Sequence, residues 1–349
     1  MKRLSFWFVF WGVAIIGAAA AVVVTLYSFN QFDRVAASFD GTCAPVTGIA
    51  GPEDIQIDPK TRRAYISSFD RRSEDKAARG GVFVFSIDDP LADEAWRDRT
   101  NGMPEKFAPL GLHFYDDGSV RRLFVVNAAT NAVEVYDVLD NGDLAHVETL
   151  AERRLTSPND IVAVGPRSFY VTNDAESGRD SLLARIQFLL RIGSGRVLYY
   201  DGIAWRIAAE GLRFANGINA GREGSRIYVA ETAAQALRIY DRDAQSGALR
   251  LAKVAGMGAG LDNINIDRVG ALWIGAQPKP LQLQTGETGA TPSLVIRYED
   301  IEGGSAAPTK IFADDGSQIS GSTVADRLGS TLLIGARLEK KFLICNLPG

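Results

Sequence analysis

Short polar or glycine-containing segments alternate along this chain with apolar triplets of β-strand character. Six such segments occur, at residues 53–55, 110–112, 159–161, 216–218, 262–264 and 322–324. Each is followed, roughly 8 to 14 residues later, by an apolar triplet, at residues 65–67, 124–126, 170–172, 228–230, 273–275 and 333–335. The repeat length of about 46 to 60 residues is typical of one four-stranded propeller blade. The pattern therefore predicts an all-β fold, a β-propeller of six blades.

The first strand of every propeller blade lines the central channel, so equivalent positions of successive blades meet near the axis. Four of the six segments carry acidic or amide side chains there, namely Glu53, Asp54, Asn159, Asp160, Asn216, Asp262 and Asn263. Four carboxylates in one channel repel one another unless a cation neutralises them, and none of the segments contains Lys or Arg. Calcium prefers such carboxylate and amide oxygens. Each pair alone is also typical of a turn, but four pairs in phase favour a shared calcium site.

Composition is consistent with one large β domain, which we expect at residues 31–349. The chain has 349 residues, of which 46% are hydrophobic, and its 35 glycines fall between the candidate strands. The formal net charge of −4, with no basic patch, argues against nucleic acid as a partner.

Residues 1–30 form a separate element. Lys2 and Arg3 precede an apolar run at residues 4–27 that is long enough to cross a bilayer as a helix. We predict an uncleaved signal anchor, with the propeller on the periplasmic or extracytoplasmic side because the basic residues stay inside. A cleaved signal peptide, with its site at residues 17–21, is the alternative.

The chain contains two cysteines, Cys43 near the start of the expected propeller and Cys345 near its end. A propeller closes its ring by joining its first and last segments, and a disulfide between these positions would lock that closure in an oxidising compartment. Two unrelated buried thiols are the alternative. No Asn-x-Ser/Thr sequon occurs, which favours a bacterial periplasmic setting over a glycosylated ectodomain.

Residues 181–191 interrupt the β pattern, because apolar residues recur there at helical spacing beside arginines. This spacing predicts an amphipathic helix. It either lies on the membrane surface or over the channel mouth, or it simply packs on the propeller.

Several strings of the chain resemble the paraoxonases, the calcium-dependent arylesterase and lactonase propellers. They lie at residues 53–54, 158–166, 172–174, 209–211, 214–219, 262–264 and 321–325. The resemblance runs from about Cys43 to Cys345 and includes the N-terminal anchor and the cysteine pair.

The resemblance implies two calcium ions in the channel and no organic cofactor. The catalytic ion would be held by Glu53, Asn159, Asn216, Asp262 and Asn263. The structural ion would be held by Asp54, Asp160 and the backbone carbonyl of Leu112. Every side chain implied as a ligand has the residue type of the family.

The chain departs from the family at its histidines. Leu110 and Ala128 stand where the family has the pair proposed to activate water, and Ala175 and Gln277 stand where a family member has further histidines. His113 lies three residues from the expected place, and strand alternation points it away from the face of Leu110, so we predict a structural histidine.

These residues and the resemblance lead to one functional expectation. The protein is expected to hydrolyse lactones, with aryl esters as further substrates, while calcium polarises the carbonyl. Asp262 is the first candidate for the base or nucleophile, and Glu53 is the second. The alternatives are a non-enzymatic, calcium-stabilised binding propeller, and a strictosidine-synthase-like or gluconolactonase-like activity on another substrate.

Overall fold

The computed structural model describes residues 2–75, 78–89, 97–98, 100–285, 289–300 and 307–348. Within these residues the chain forms six antiparallel sheets, and one of them gains a short fifth strand by a parallel pairing. The innermost strands of neighbouring sheets contact one another in a closed ring. The predicted six-bladed propeller is confirmed.

The first half of the ring contains three of the sheets, preceded by the strand β1 at Thr42–Thr47. The first sheet consists of β2 Pro52–Asp58, β3 Arg63–Ser68, β4 Gly81–Ser86 and β5 Arg97–Asp98. The second consists of β6 Thr100–Asn101, β7 Pro109–Asp116, β8 Arg121–Asn127, β9 Ala132–Val138 and β10 Leu144–Ala151. The third consists of β11 Pro158–Ala163, β12 Phe169–Asn173, β13 Gly195–Tyr200 and β14 Trp205–Leu212.

The second half completes the ring. The fourth sheet consists of β15 Ala215–Ala220, β16 Arg226–Glu231, β17 Ala236–Arg242 and β18 Leu249–Gly256. The fifth consists of β19 Gly260–Ile266, β20 Leu272–Gln277, β21 Ser293–Tyr298 and β22 Thr309–Asp314. The sixth combines β23 Val324–Leu328, β24 Thr331–Gly335 and β25 Lys341–Asn346 with β1.

The ring closes where the N-terminal strand β1 pairs with the C-terminal strand β25. Cys43 lies directly opposite Cys345 in this pairing, and the two form a disulfide across 302 residues of chain. The predicted bond is therefore present. Because it joins the first and last strands, it links the ends of the whole ring covalently.

The core lies between adjacent sheets rather than in one central mass. Apolar side chains of one sheet, such as Leu237 and Ile239, pack against those of the next, such as Ile274 and Ile296. Each second strand is covered on both faces, and all five residues of β12 are buried. This burial explains why the second strands have nearly continuous apolar sequences.

The described residues also contain three helices, α1 Lys2–Ser28, α2 Leu182–Leu189 and α3 Pro280–Thr285. Within α1, residues Phe10–Ser28 have a mean hydropathy of 2.1 and none is buried. This helix is long and apolar enough to cross a membrane, although a signal sequence near an N-terminus has the same properties.

Candidate active site

Five of the six channel-lining first strands contain a β-bulge near their N-terminal end. In each, two consecutive residues lie opposite a single residue of the neighbouring strand, and those two residues are the ones singled out in the sequence segments. Successive side chains of a regular strand point to opposite faces, but a bulge re-aims one of them. The bulge therefore explains how neighbours such as Glu53 and Asp54 both reach the channel.

Hydroxyl groups stabilise two of these bulges. Ser67 and Thr172 lie opposite the bulged pairs, and their hydroxyl oxygens accept the backbone N–H groups of Asp54 and Asp160 at 3.0 and 2.9 Å. Because these N–H groups leave the regular ladder, each would otherwise be a buried donor without an acceptor. The Ser and Thr of the apolar triplets thus hold the channel residues in place.

The structure brings the five side chains expected around the catalytic ion, here called the upper ion, into one buried group. Asn263 donates to the backbone carbonyl of Glu53 at 3.1 Å and to its Oε1 at 3.3 Å. Asp262 Oδ2 accepts from Gln277 at 2.6 Å. The Nδ2 groups of Asn159 and Asn216 donate to Asp174 at 3.3 Å and to Thr232 at 3.0 Å, so each amide uses its nitrogen in these contacts.

Several oxygen atoms of this group have no hydrogen-bond donor. Among the described residues, Glu53 Oε2 and the Oδ1 atoms of Asn159, Asn216 and Asn263 are buried and accept no hydrogen bond. Each buried acceptor without a donor costs about 1–3 kcal/mol. Carboxylate and amide oxygens in this number suit a hard divalent cation, so the residues present fit calcium.

No group of three or more His, Cys, Asp or Glu side chains that could hold a metal occurs in the part of the chain that the structure describes. A cation at this place would therefore depend on the amide oxygens of the three asparagines as well as on Glu53 and Asp262. Oxygen ligands without nitrogen or sulfur favour calcium over zinc.

A second pair of carboxylates, Asp54 and Asp160, lies close to this group. The two oxygens of Asp54 accept the N–H groups of Ile55 and Leu112 at 2.8 and 2.7 Å. Asp160 accepts those of Ile161 and Ile218, both at 2.7 Å. Each aspartate thus ties its own blade to the next.

Burial raises the pKa of both Asp54 and Asp160 well above the usual value, and their mutual repulsion raises that of Asp54 further. A cation between them would oppose this shift by favouring the charged forms. Leu112, whose carbonyl is expected to bind the structural ion, lies next to Asp54 because its N–H donates to that carboxylate.

The upper carboxylates are also held in an unfavourable environment. Burial raises the pKa of Asp262 to about 7, and the charge of Glu53 adds to the shift. Burial likewise raises the pKa of Glu53, while the charges of Arg71 and Arg337 lower it in part.

These arginines were missed by sequence reasoning. Arg71, Arg179 and Arg337 each follow the second strand of a blade and approach the carboxylates from the channel mouth. None lies in the six polar segments, so their positions relative to the channel depend on loop paths that a repeat pattern does not predict. The carboxylates therefore have cationic neighbours besides any metal.

A cavity of about 410 Å³, here called the site cavity, opens above the polar group. Its floor includes Glu53, Asn159, Asn216 and Asp262. Its walls include Leu110, Phe188, Phe214, Gln277 and Leu281. A small molecule in this space would contact the acidic and amide side chains at one end, the apolar side chains of the walls, and charged side chains that include Arg179, Asp180 and Arg337. Apolar walls with a few placed polar groups are the usual character of a substrate site.

Helix α2 forms part of the cavity wall and begins at the N-cap Ser181, whose hydroxyl accepts the N–H of Ala184 at 3.0 Å. Phe188 is buried and stacks on Phe29, the residue that follows α1, with ring centroids 5.5 Å apart. Arg191 donates to the carbonyl of Ser28 at 2.5 Å. The predicted helix thus lies over the channel mouth, next to the end of the N-terminal helix.

Two residues that replace expected histidines lie at the site cavity, whereas His113 lies elsewhere. Leu110 lines the site cavity, and Gln277 holds Asp262 through the hydrogen bond described above. His113 lines a different cavity at the opposite end of the channel, where its Nδ1 accepts the N–H of Ala163 at 3.3 Å. Burial lowers the pKa of His113 to about 4, so the ring is neutral. His113 therefore does not contact the buried polar side chains at the floor of the site cavity.

Comparison with known proteins gives a consistent result. A model of the arylesterase family matches residues 43–347. Serum paraoxonase/arylesterase 1 of Homo sapiens is 32% identical over 318 residues, covering 87% of this chain and 88% of that protein. Serum paraoxonase/arylesterase 2 of Homo sapiens is 32% identical over 322 residues, covering 87% and 88%.

Solved structures with the same fold are more distant in sequence. A gluconolactonase of Xanthomonas campestris is 16% identical, with a TM-score of 0.56 and coverage of 88% of this chain and 90% of that chain. The calcium-binding protein regucalcin of Agrobacterium tumefaciens is 16% identical, with a TM-score of 0.53 and coverage of 87% and 93%. At such identities the likeness concerns the fold alone.

Proposed function

This chain belongs to the arylesterase family, and from that premise we propose that it is a calcium-dependent hydrolase of lactones and, more slowly, of aryl esters. The observation that supports the proposal most is the set of four buried oxygens without hydrogen-bond donors, three of which belong to residues at the floor of the site cavity. A scaffold that only closed the ring would have no need to bury such atoms beneath an open cavity.

The ligands proposed for the catalytic calcium are Glu53, Asn159, Asn216, Asp262 and Asn263. Those proposed for the structural calcium are Asp54, Asp160 and the carbonyl of Leu112. When bound, the upper ion would polarise the substrate carbonyl and stabilise the oxyanion that forms. The surrounding hydrogen bonds keep the amide nitrogens turned away, which leaves the oxygens facing inward.

Asp262 is the proposed base or nucleophile. Its Oδ2 is fixed by Gln277, so its other oxygen is the one that would take a proton from water or attack the carbonyl. Asp262 lines the site cavity where the substrate would lie, and a bound calcium would keep its carboxyl charged, as a base or nucleophile must be. Glu53 is the second candidate.

The replacement of two family histidines by Leu110 and Ala128 narrows the proposed activity. Without an imidazole beside the cavity, hydrolysis would depend on the calcium and the carboxylates that hold it. A lactone carbonyl needs mainly oxyanion stabilisation and a positioned nucleophile, and its alkoxide, which stays attached after ring opening, can take the proton that the carboxylate has accepted from water. We therefore expect lactone hydrolysis to exceed hydrolysis of aryl esters and phosphotriesters.

We also propose that α1 is an uncleaved membrane anchor, with the propeller on the periplasmic or extracytoplasmic side. On α2 and its C-cap, Leu182, Leu183, Ile186 and Leu190 are exposed while Phe188 is buried. Because α2 adjoins the end of α1, this apolar face is suited to contact the same membrane that the anchor would cross.

The test is a hydrolysis assay on the full chain in detergent, with aliphatic lactones, aryl esters and phosphotriesters, with and without chelator. Wild type should hydrolyse lactones in calcium and lose this activity in chelator. Asp262→Asn should abolish turnover, because an amide can still ligate but cannot accept the proton. The matched control Asp326→Asn changes an equally buried carboxyl at the other end of the channel and should keep the activity. If no lactone or ester is hydrolysed at any pH, a non-enzymatic binding propeller replaces this proposal.

A further inference from the structure

A second cavity adjoins the site cavity on the side of the missing histidines. This side cavity has a volume of about 750 Å³, and its lining includes Phe69, Arg71, Ala128, Ser157 and Arg179. Leu110, Arg179 and Asp180 line both cavities, so the two spaces meet there. A substituent of a molecule held in the site cavity would have room to extend into the side cavity.

Arg71 is an unusual cation on this wall. Its guanidinium donates to the backbone carbonyls of Gly51, Phe69 and Pro109 at 3.4, 3.3 and 3.1 Å. Across the described ranges of the chain, no carboxylate lies within ion-pair distance of Arg71. Its position is fixed by these three carbonyls and by the ring of Phe69, whose centroid lies 5.7 Å from the guanidinium carbon, and none of the described carboxylates forms an ion pair with it.

Arg179, the other cation on the wall, differs in this respect. It pairs with Asp174 at 3.2 Å and donates to the carbonyl of Pro158 at 2.6 Å. Its charge is therefore matched inside the protein. Of the two cations that line the side cavity, Arg71 is the one with charge left to offer a ligand.

The environment of Arg71 is costly for a cation. Burial lowers its pKa to about 10, and the charges of Arg337 and Arg179 add to this, while Glu53 and Asp262 oppose it. The guanidinium remains charged at neutral pH. An anion placed in the side cavity would offset the repulsion among the three arginines.

Resting on the function proposed above, we propose that Arg71 binds a carboxylate of the substrate in the side cavity, so that the preferred lactones carry an acidic side chain. A guanidinium is suited to this task because its planar set of donors matches the two oxygens of a carboxylate. Arg71 is a specificity residue in this account and takes no part in bond making or breaking.

Asp180 limits the strength of this site. It is exposed at the junction of the two cavities, and its negative charge repels an incoming carboxylate. Removing that charge should favour the acidic substrate further, which gives a test in the opposite direction to the loss of Arg71.

The first experiment compares kcat/KM for a γ-lactone whose alkyl substituent ends in a carboxylate with that for its methyl ester. Wild type should prefer the acid by about tenfold or more, the range expected for a charge-assisted hydrogen bond. Arg71→Gln should remove about tenfold of this preference, and Asp180→Asn should increase it. The control Arg222→Gln, an exposed arginine at the other end of the channel, should keep the preference of wild type.

The second experiment measures binding of hexanoate and hexanamide to the full chain by calorimetry, both in calcium and in chelator. Hexanoate should bind about tenfold more tightly than hexanamide to wild type but not to Arg71→Gln. The preference should persist in chelator, where no metal can hold the carboxylate. This assay needs no turnover, so it separates failure of the subsite from failure of the proposed hydrolysis.

Equal effects of Arg71→Gln on the acid and the ester would overturn the proposal, because Arg71 would then only support the charge of Glu53. Equal binding of hexanoate and hexanamide by wild type would do the same. If Arg71→Gln does not fold, Asp180→Asn still decides, since an unchanged preference for the acid contradicts an anion bound beside it.

Discussion

Removing the disulfide between Cys43 and Cys345 should lower the free energy of unfolding by an amount that depends on the length of the loop it closes. The bond closes a loop of 302 residues, for which the chain-entropy relation gives about 5.7 kcal/mol at 25 °C. Measured losses are usually smaller, and we expect about 2–5 kcal/mol. The bond acts on the unfolded chain, because in the folded state the six residue pairs between β1 and β25 already hold the ends together.

The perturbation is the double variant Cys43→Ala and Cys345→Ala, where alanine avoids burying a hydroxyl at the buried Cys345. For a domain of this length the expected loss corresponds to a fall of about 3–8 °C in the thermal midpoint. The assay is thermal unfolding of the full chain in detergent, with and without reductant. Reductant should lower the midpoint of wild type and leave that of the double variant unchanged.

A fall of less than about 1 °C in the double variant would refute the reasoning, because entropy of ring closure would then contribute little. The reasoning would also be wrong if reductant lowered both midpoints equally. Free thiols in native, non-reduced protein would show that the bond does not form.

Four further outcomes follow from the structure. His113→Gln should retain most lactone hydrolysis, because the ring is neutral and lies at the far end of the channel; a loss above about tenfold, or about 1.4 kcal/mol in the barrier, would favour a displaced histidine base. The full chain should stay with membranes at high salt and high pH, and recovery of a soluble chain that begins near residue 22 would show cleavage instead. In a chain that begins at about residue 36, Leu183→Ser with Ile186→Ser should weaken liposome binding several-fold. The control Val269→Ser, which also changes an exposed apolar residue, should not. Equal binding by the unsubstituted shortened chain, the double variant and the control would favour a helix that only packs on the propeller. Burial raises the pKa of Asp326 to about 7, above its unfolded value, so its contribution to stability is present at low pH and is lost as pH rises from about 4 to 7. Relative to Asp326→Asn, the wild type should therefore lose stability over that range, and parallel curves for the two proteins would contradict the shift.

The repeat pattern was sufficient to predict the ring, because each blade repeats one polar segment and one apolar strand at nearly constant spacing. It also identified the residues that meet in the channel. The β-bulge was not predictable in this way. Strand alternation separates Glu53 from Asp54 and Asp262 from Asn263, and only the register of the neighbouring strand shows that both members face inward.

The arginines of the channel mouth show the other limit of the pattern. Arg71, Arg179 and Arg337 lie in loops with no shared spacing, and their distance from Glu53 depends on how each loop folds back over the ring. The sequence likewise predicted the helix at residues 181–191 without its location. Its place over the channel depends on packing of Phe188 against Phe29, a contact between segments far apart in the chain.

The central claim is that the buried oxygens of the channel hold calcium, and calcium content tests it most directly. After dialysis against calcium and removal of excess, wild type should retain two ions per chain, and Asn216→Leu should retain one because only the proposed upper site uses that side chain. Chelator should remove both ions and lower the thermal midpoint of wild type, since an ion that binds only the folded state stabilises it by mass action. Wild type that retains no calcium, with the same melting curve in calcium and in chelator, would contradict the account.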